Sequence, residues 1–484
     1  MLLGLDLGTS SVKALLLDED GAVLGEGSAS YAVRAPRPGW AESSPEAWWE
    51  AVLTATAAAV GRWGAEVTAL GLSGQMHGVV LTDERGLPLR PAVLWADARS
   101  SAELAAYRGL VDEDLGRRLA NPPAVGMAGL SLLWLRDHEP DAYTSARWAL
   151  QPKDWLRMRL TGEAATEPSD ASATLLYDLL ADDWSYAAAE ALGLRAELLA
   201  PLVPSACIAG TLEEEAAGDL GLWEGLPVAA GAADTAAAML GTGLLRPGPV
   251  QLTVGTGGQV VTPKEGPDPD PHGRTHLYRA AVPGLWYSMA AVQNAGLALE
   301  WVRKMLGASW NDVYEEAFAV TPGSGGVTFL PYLSGERTPR FDPGARGAWT
   351  GLGLDHTRGH LLRAALEGVA FALREALEAL EDQGTVAPEL RLAGGGTGGS
   401  SGEPWRHLLA DVLGRPLWLL PDEISSVASA RGAAFLAGLA SGVYPTAEDT
   451  LPLTPEPESP IRPGETAYES AYKRYKQLYP RLYG

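Results

Sequence analysis

The sequence has few of the features that point to several common classes of protein. Its 484 residues include one cysteine, Cys207, so neither a disulfide framework nor a zinc site built from several thiolates can form. Acidic side chains outnumber basic ones by 60 to 37, and the formal net charge of -23 argues against binding to nucleic acid or to anionic membranes. No G-x-x-x-x-G-K-[ST] pattern occurs, which excludes a P-loop nucleotide site.

Long apolar runs are also missing. Asp6 interrupts the first apolar segment and no basic segment precedes it, so the start of the chain does not resemble a secretion signal. The alanine-rich stretch 227–245 is interrupted by Asp234 and predicts no membrane span. We therefore expect a cytoplasmic protein that has no membrane partner. A chain of 484 residues exceeds one compact core, which predicts more than one domain.

What the sequence does contain is one short pattern that occurs twice. Residues 2–18 read LLGLDLGTSSVKALLLD, and residues 250–263 read VQLTVGTGGQVVTP. Each copy predicts a strand, a glycine turn and a returning strand, because glycine adopts turn conformations that other residues resist. Successive backbone N–H groups at such a turn form a concavity suited to anions. The repeat therefore predicts a duplicated architecture in which two hairpins hold one polyphosphate from both sides.

Between and after the two hairpins, strand-like and helix-like segments alternate. A strand is predicted over 227–234, a helix opens directly after Asp234, and a further helix is predicted over 360–380. Alternating elements of this kind favour mixed or parallel sheets flanked by helices. We therefore predict an α/β protein whose two domains comprise residues 1–243 and 244–484.

The last predicted helix carries a stripe of tyrosines. They are Tyr468, Tyr472, Tyr475 and Tyr479, at spacings of four, three and four residues. Such a stripe indicates either a packing face within the domain or a surface for a partner.

The first hairpin supplies candidate ligands for phosphate and metal. Asp6 stands beside the turn, and an acidic residue there can hold Mg²⁺ directly or through water, because magnesium takes few carboxylates and keeps most of its waters. Thr9 and Ser10 lie in the turn, and Lys13 can neutralise a phosphate oxygen. A plain hairpin with a partly exposed aspartate is the structural alternative.

Two further segments carry candidate chemistry. Asp234 follows the small residues 231–233, and it is either an N-cap or a general base that takes the proton of an attacking hydroxyl. Gln75, Met76 and His77 form a glycine-flanked turn whose polar groups suit a polyol, although a lone histidine is also a common structural residue.

A third glycine-rich turn, GGGTGG, occupies residues 394–399. It matches the G-x-G-x-x-G dinucleotide pattern, which makes a dehydrogenase that binds NAD one alternative. It lies late in the chain, where a dinucleotide-binding domain has little room to complete itself. A glycine shelf for adenosine, formed by Gly394, Gly395 and Gly396 with the hairpin at Gly255, fits better.

Several motifs resemble those of the FGGY carbohydrate kinases, and the resemblance spans nearly the whole chain. It rests on LGLDLGTSSVKALLLD, on GWAESSPEAWW and above all on GAWTGLGLDHTRGHLLRAALEG at 347–368. Within that family, the segments LSGQMHG, LWADAR, QPKDWLRMRLTGE, SDASATLLYD and LPYLSGERTP are most similar to those of kinases that act on D-xylulose.

The resemblance implies two ribonuclease H-like domains of the actin/hexokinase ATPase type with a cleft between them. It implies ATP as phosphoryl donor, Mg²⁺, a small sugar as acceptor and a homodimer. By this likeness Asp234 is the catalytic base and also a metal ligand, Asp6 belongs to the metal site, and Thr235 contacts the sugar. The resemblance further implies that the sugar contacts Gln75, Met76 and His77. It implies that ATP is bound by Thr9, Ser10, Lys13, Gly255, Thr256, Gly257 and the turn at 394–396.

The sequence departs from the family pattern at three places. Thr235 stands where kinases of D-xylulose commonly carry asparagine, Ser131 stands where lysine is usual, and the turn at 394–399 belongs to a longer loop. The expected reaction is phosphorylation of D-xylulose by ATP. A kinase for ribulose, fuculose, gluconate, glycerol or another ketose or polyol, and more remotely an actin- or chaperone-like ATPase, remain alternatives.

Overall fold

The computed structural model describes residues 1–384, 389–393, 402–455, 457, 459–465 and 468–484. The strands of the first half are β1 Leu2–Leu7, β2 Ser11–Leu17, β3 Val23–Ser30, β4 Glu42–Ser43, β5 Ala69–Gly74, β6 Val80–Thr82, β7 Ala92–Val93, β8 Trp148–Leu150, β9 Tyr177–Asp178, β10 Asp183–Trp184, β11 Ile208–Thr211, β12 Pro227–Ala229 and β13 Ala232–Ala233. Its α-helices are α1 Pro45–Val60, α2 Glu103–Leu110, α3 Glu113–Leu119, α4 Ala128–His138, α5 Pro140–Ser145, α6 Pro152–Thr161, α7 Pro168–Ala171, α8 Tyr186–Ala191, α9 Glu214–Leu220 and α10 Asp234–Gly241.

The second half continues the alternation of strands and helices. Its strands are β14 Val250–Val254, β15 Gly258–Lys264, β16 His276–Arg279, β17 Trp286–Val292, β18 Thr328–Leu330, β19 Ala348–Thr350, β20 Leu390–Ala393 and β21 Leu417–Leu419. Its α-helices are α11 Gly296–Met305, α12 Trp310–Phe318, α13 Arg358–Glu381, α14 Glu403–Leu413, α15 Asp422–Ser425, α16 Ala428–Ala440, α17 Glu469–Lys476 and α18 Leu478–Tyr483. The predicted α/β class is confirmed.

Both predicted hairpins form, and each is the centre of a mixed sheet. The first sheet has the strand order β11-β12-β5-β1-β2-β3, and β13 lies beside the end of β5. The second has the order β16-β17-β15-β14-β20-β21. In each sheet the first strand of the hairpin has an antiparallel neighbour on one side and a parallel neighbour on the other. The predicted duplication is therefore visible as a repeated strand arrangement.

The central strand β1 is apolar at every position except Asp6, because helices cover both faces of its sheet. Leu3 and Leu5 share a buried cluster with Trp48 of α1. On the other face, Leu2 shares a cluster with Phe435 of α16. Burial on two sides explains why the segment shows a continuous apolar run instead of alternation.

Helix α16 comes late in the chain and yet packs on the first sheet. A Cβ atom on Gly4 of β1 would lie 2.0 Å from the carbonyl oxygen of Ala430, and one on Gly432 would lie 1.8 Å from that of Ala237 in α10. Glycine at these two positions lets α16 approach both β1 and α10 closely. The second half of the sequence thus contributes a helix to the first sheet. The boundary between residues 243 and 244 stays a prediction.

The tyrosine stripe faces the interior, as the packing alternative predicts. Tyr468, Tyr472 and Tyr475 are buried against Phe371 of α13, with ring centroids 6.2, 5.6 and 5.5 Å apart. The single last helix was a wrong prediction, because α17 ends at Lys476 and α18 follows. Pro480 has no N–H to continue the ladder of hydrogen bonds.

Within the described ranges, no helix combines the length and the apolar composition that are needed to cross a bilayer.

Candidate functional site

The carboxyl ends of three parallel strands bring the candidate carboxylates together. Asp6 on β1 pairs in register with Ser73 on β5, and Gly74 at the end of β5 pairs with Ala233 on β13. Asp234 follows directly as the first residue of α10. Ligands of α/β proteins characteristically bind outside the carboxyl ends of the parallel strands. Asp6 and Asp234 therefore lie at the edge of the first sheet where a ligand is expected.

The predicted strand over 227–234 is interrupted at Gly231, which separates β12 from β13. Gly231 has a φ of 90°, and a Cβ atom there would lie 2.4 Å from the carbonyl oxygen of Leu72. The N-cap of α10 is Ala233, so the alternative in which Asp234 serves as the cap is wrong. The Asp234 carboxylate instead accepts hydrogen bonds from the N–H and the hydroxyl of Thr235, at 2.5 and 3.1 Å from Oδ1.

The charge of Asp6 acts on Asp234, and both carboxylates are buried. Burial and the nearby charge of Asp6 raise the pKa of Asp234 to about 7, and the hydrogen bonds from Thr235 offset part of that rise. Burial also raises the pKa of Asp6, although Ser73 Oγ donates a hydrogen bond to Asp6 Oδ1 at 3.0 Å and Lys13 attracts the charge. A carboxylate with a pKa near neutrality can both accept and return a proton.

The turn of the first hairpin is held by aromatic side chains. Trp95 Nε1 donates to the hydroxyl of Thr9 at 2.8 Å, and the hydroxyl of Tyr31 donates to the carbonyl oxygen of Gly8. Ser10 is exposed at the tip of the turn. The ammonium group of Lys13 donates to the carbonyl oxygen of Ser426 at 2.5 Å, so this predicted phosphate ligand is already tied to the segment before α16.

The turn after β5 forms a buried wall next to that hairpin. The side chain of Gln75 donates from Nε2 to the Gly8 carbonyl oxygen at 3.1 Å, which joins the two turns. Among the residues that the structure describes, Gln75 Oε1 has no hydrogen-bond partner although it is buried. Met76 lies beside Tyr287, whose hydroxyl is 3.9 Å from the Met76 sulfur. Gln75 and Met76 thus border the carboxylate edge.

His77 is the strained member of this turn. Its φ of 69° lies in the left-handed region that residues other than glycine rarely adopt, and such strain is characteristic of functional sites. Its Nδ1 lies 2.8 Å from the carbonyl oxygen of Ala173. Burial and the charge of Arg337 lower the pKa of His77 to about 4, so the ring is neutral at pH 7. A neutral ring offers one donor and one acceptor, which suits a hydroxyl group.

The second hairpin is braced by the start of α11. The carbonyl oxygen of Gly255 accepts from the N–H of Gly296 at 2.9 Å, and that of Thr256 accepts from Ala295 and Leu297 at 3.1 and 3.0 Å. Gly255 and Thr256 are exposed, and Gly257 is partly exposed.

The other half of the predicted nucleotide site is the glycine-rich sequence that follows β20. Gly394, Gly395 and Gly396 lie outside the described residues. The strand before them ends at Ala393, which pairs with Thr253 on β14.

A buried ion cluster that the sequence reading missed supports the backbone at Asp234. Lys153 Nζ lies 2.7 Å from Asp154, 2.9 Å from Asp170 and 3.2 Å from Glu167, and all four side chains are fully buried. Ser169 Oγ donates to Glu167 at 2.8 Å and accepts from the N–H of Ala233 at 2.9 Å.

The cluster holds three carboxylates against two cations, because Arg157 also lies 3.0 Å from Asp154. Neighbouring carboxylates raise the pKa of Lys153, and burial raises the pKa of Asp170 well above its usual range. The sequence signal was available in the charged residues Lys153, Asp154 and Arg157, which alternate with apolar residues in the segment that forms α6.

The donor set at the carboxylate edge is compatible with magnesium. Among the residues that the structure describes, no three acidic, histidine or cysteine side chains group as a protein-only metal site would require. Magnesium needs no such group, because it binds through one or two carboxylates together with water and substrate phosphates. Asp6 and Asp234 supply two carboxylates at one edge, which fits that requirement.

Comparison with known proteins matches the chain over nearly its full length. The N-terminal domain model of the FGGY family of carbohydrate kinases matches residues 1–241, and the C-terminal domain model matches residues 250–441. The xylulose kinase of Escherichia coli is 35% identical over all of this chain and 99% of its own. A crystal structure of a xyloylose kinase from Brucella ovis is 37% identical with a TM-score of 0.91, covering 99% of both chains. A xylulose kinase from Rhodospirillum rubrum is 32% identical with a TM-score of 0.89, covering 99% of this chain and 98% of its own.

The repeated sheets, the two matching domain models and the solved relatives define a sugar kinase of the actin/hexokinase-like ATPase type, a class that uses ATP as a substrate. Within that class, the chain belongs to the FGGY family of carbohydrate kinases.

Proposed function

We propose that the protein transfers the γ-phosphoryl group of ATP to the terminal hydroxyl of a ketopentose, with D-xylulose as the preferred acceptor and D-xylulose 5-phosphate and ADP as products. The observation that carries the proposal is the Asp234 carboxylate, which lies beside Asp6 at the carboxyl edge of the first sheet and has a pKa of about 7. Family membership and the relatives named xylulose kinases support the choice of acceptor.

In this mechanism Asp234 accepts the proton of the attacking hydroxyl. Phosphoryl transfer needs positioning and charge stabilisation more than covalent help, so the base acts mainly by orienting the nucleophile. Thr235 donates two hydrogen bonds to Oδ1 and thereby fixes the carboxylate. Backbone N–H groups of Thr9 and Ser10 in the first turn and of Thr256 and Gly257 in the second stabilise the charge on the transferring group, whereas those of Gly8 and Gly255 donate within their own turns. Thr9, Ser10 and Lys13 in the first half and Thr256 in the second complete the proposed phosphate site.

Asp6 and Asp234 would hold Mg²⁺, which when bound neutralises charge on the phosphate oxygens. Burial raises the pKa of both groups, and the charge of Asp6 adds to the rise at Asp234. The proposal also places the protein in the cytoplasm as a homodimer.

The sugar contacts of this proposal are Gln75, Met76, His77 and Thr235. One observation favours a kinase for a neighbouring ketose as the second candidate. The Thr235 hydroxyl donates its proton to Asp234, so it offers the sugar only lone pairs, whereas an asparagine amide also donates. An actin- or chaperone-like ATPase is a weaker candidate, because it has no need for the polar wall at 75–77.

Turnover measured by ADP release over a panel of acceptors tests the proposal. The panel comprises D-xylulose, D-ribulose, L-ribulose, L-fuculose, gluconate and glycerol, together with a reaction that lacks sugar. D-xylulose should give the highest kcat/KM, and ATP turnover without sugar should be far slower. A tenfold preference for another acceptor overturns the assignment of D-xylulose, and sugar-independent turnover overturns the kinase itself.

A further inference from the structure

The second half of the chain presents polar side chains to His77, and the mechanism above uses none of them. The rings of His77 and Tyr278 lie 6.2 Å apart, and the ring of His276 stacks on that of Tyr278 at 5.5 Å with an angle of 14° between their planes. His276 and Tyr278 both stand on β16. Arg337 comes from the loop between β18 and β19. We call His276, Tyr278 and Arg337 the opposite wall.

Buried polar atoms in the opposite wall have no partners. Both ring nitrogens of His276 and the hydroxyl of Tyr278 are buried, and no described residue forms a hydrogen bond with them. An unpaired buried polar atom is costly and uncommon in native proteins, which makes each one a feature that needs a reason. Three such atoms on one strand next to a strained histidine point to a ligand that supplies the missing hydrogen bonds.

The guanidinium N–H groups of Arg337 form no ion pair with a carboxylate of the described residues. Its guanidinium carbon lies 5.8 Å from the centre of the Trp95 ring, and no ion pair to it occurs among the described residues. The neighbouring Glu336 does not pair with it, because Glu336 Oε1 accepts from the backbone N–H groups of Gln293 and Arg337 at 2.6 and 2.8 Å. Arg340, three residues later, is paired with Glu375 at 2.6 Å. Of these two arginines, Arg340 has an ion-pair partner and Arg337 has none among the described residues.

The opposite wall lies beside His77. Tyr278 contacts the His77 ring, with 6.2 Å between the ring centres, and the charge of Arg337 lowers the pKa of His77 and of His276. An acceptor that contacts His77 therefore also lies next to this wall.

We propose that Arg337, together with His276 and Tyr278, binds the hydroxymethyl-ketone end of the acceptor and so determines selectivity for ketoses over polyols. The inference rests on the proposed function and names a specificity-determining residue for it. A carbonyl oxygen is a planar acceptor that suits the fixed N–H fork of arginine, whereas the corresponding polyol carbon carries a tetrahedral hydroxyl. The neutral His276 ring and the Tyr278 hydroxyl can each donate to and accept from the adjacent hydroxyl.

The test compares D-xylulose with xylitol, which has a hydroxyl in place of the ketone. In Arg337→Gln the ratio of kcat/KM for D-xylulose to that for xylitol should fall by about 10- to 100-fold, the worth of a hydrogen bond to a charged group. The KM for ATP should stay within about twofold of the wild-type value, because the residue faces the sugar. An unchanged ratio overturns the proposal, and so does a KM for ATP that rises as much as that for D-xylulose.

Arg340→Gln is the matched control, since it removes an arginine from the same loop. It breaks the ion pair with the buried Glu375 and should lower Tm while leaving the ketose-to-polyol ratio unchanged. Arg337→Gln should leave Tm of the free protein within a few degrees of the wild-type value. D-xylulose without nucleotide should raise Tm of the wild type and of Arg340→Gln but not of Arg337→Gln, which measures sugar binding without turnover.

Failure of the proposed function is seen separately, in the wild type. If the wild type prefers another ketose over D-xylulose, the identity of the acceptor is wrong. The ratio of that ketose to its own reduced polyol, measured in the same two variants, then decides the role of Arg337.

Discussion

The two hairpins have the same backbone arrangement and different chemistry. In the first, β1 lies between antiparallel β2 and parallel β5, and in the second, β14 lies between antiparallel β15 and parallel β20. Aligning the Gly-Thr of the two turns places Asp6 opposite Thr253. The neighbours differ as well, because Asp6 is flanked in register by Lys13 and Ser73, whereas Thr253 is flanked by Gln259 and Ala393.

This difference shows how one of two similar anion-binding turns becomes part of a catalytic site. The backbone of either turn can receive a phosphate group, because that property depends on N–H groups and glycine. Only the first copy carries a carboxylate at the strand end, and only its parallel neighbours bring a second one, Asp234, to the same edge. We therefore expect substitutions in the first copy to reduce kcat and equivalent substitutions in the second to raise the KM for ATP.

The largest expected effect is that of Asp234→Asn. Asparagine keeps the acceptor for Thr235 but cannot take a proton, so kcat should fall by about 10²–10⁴-fold, the usual contribution of a positioned base. ATP binding should be retained, as measured by nucleotide titration. Asp268→Asn, on an exposed loop, is the control and should be indistinguishable from wild type. Near-normal turnover in Asp234→Asn would remove the base from the mechanism.

A direct comparison of the two hairpins pairs Asp6→Asn with Thr253→Val. The first change removes a charge that acts on Asp234 and that would hold Mg²⁺, so kcat should fall by roughly 10- to 100-fold and the Mg²⁺ concentration for half-maximal activity should rise. The second change alters no charge and should change kcat by about threefold or less. Equal losses of kcat in the two variants would contradict a division of labour between the hairpins.

The hairpins and the α/β class could be predicted from the sequence because both depend on local patterns. An apolar run, a glycine turn and a second apolar run occupy fewer than about twenty residues, and strands buried on both faces produce such runs wherever they occur. Local patterns left the role of Asp234 open between an N-cap and a general base. The predicted strand breaks at Gly231, whose φ of 90° glycine permits without revealing, and Ala233 holds the N-cap position of α10.

The residues that sequence reasoning missed are joined by long-range contacts. Lys153 and Ser169 lie far along the chain from Ala233, and no spacing rule connects them. Arg337 was part of a recognised motif, yet its lack of an ionic partner becomes visible only when the positions of Glu336 and Glu375 are known. The packing of α16 on the first sheet is of the same kind, since an apolar helix does not specify which sheet it covers.

The pH dependence of activity should report the carboxylate pair. Because Asp234 must be ionised to accept a proton, kcat/KM for the sugar should fall as the pH drops below the pKa of Asp234, which is about 7 in the metal-free protein and is lowered by bound Mg²⁺. Raising the Mg²⁺ concentration should therefore shift the acid limb of the profile to lower pH, and a profile that Mg²⁺ does not shift would contradict a metal ligand at Asp234.

The stability of the fold should depend on the same pKa but should change with pH in the opposite direction from activity, falling as the pH rises. The folded protein keeps the Asp234 proton up to about pH 7, whereas the unfolded chain loses it near 3.8, so ionisation destabilises the fold progressively between these values. Asp234→Asn should therefore raise Tm more at pH 8 than at pH 5. An equal change of Tm at both pH values would mean that the folded and unfolded states share one pKa.

The smallest expected effects come from placing the same substitution, threonine to valine, in both hairpin turns. This pair of variants is the most direct test of the difference between the two hairpins. Thr256→Val in the second hairpin removes an exposed hydroxyl but keeps the β-branched shape, so the KM for ATP should rise by about three- to tenfold with kcat nearly unchanged. Thr9→Val in the first hairpin also removes the acceptor for Trp95 Nε1, and an unpaired indole N–H beside the carboxylates should lower kcat and Tm together. If both variants changed only the KM for ATP, the two turns would be equivalent nucleotide ligands, and the chemistry would depend on Asp6 and Asp234 alone.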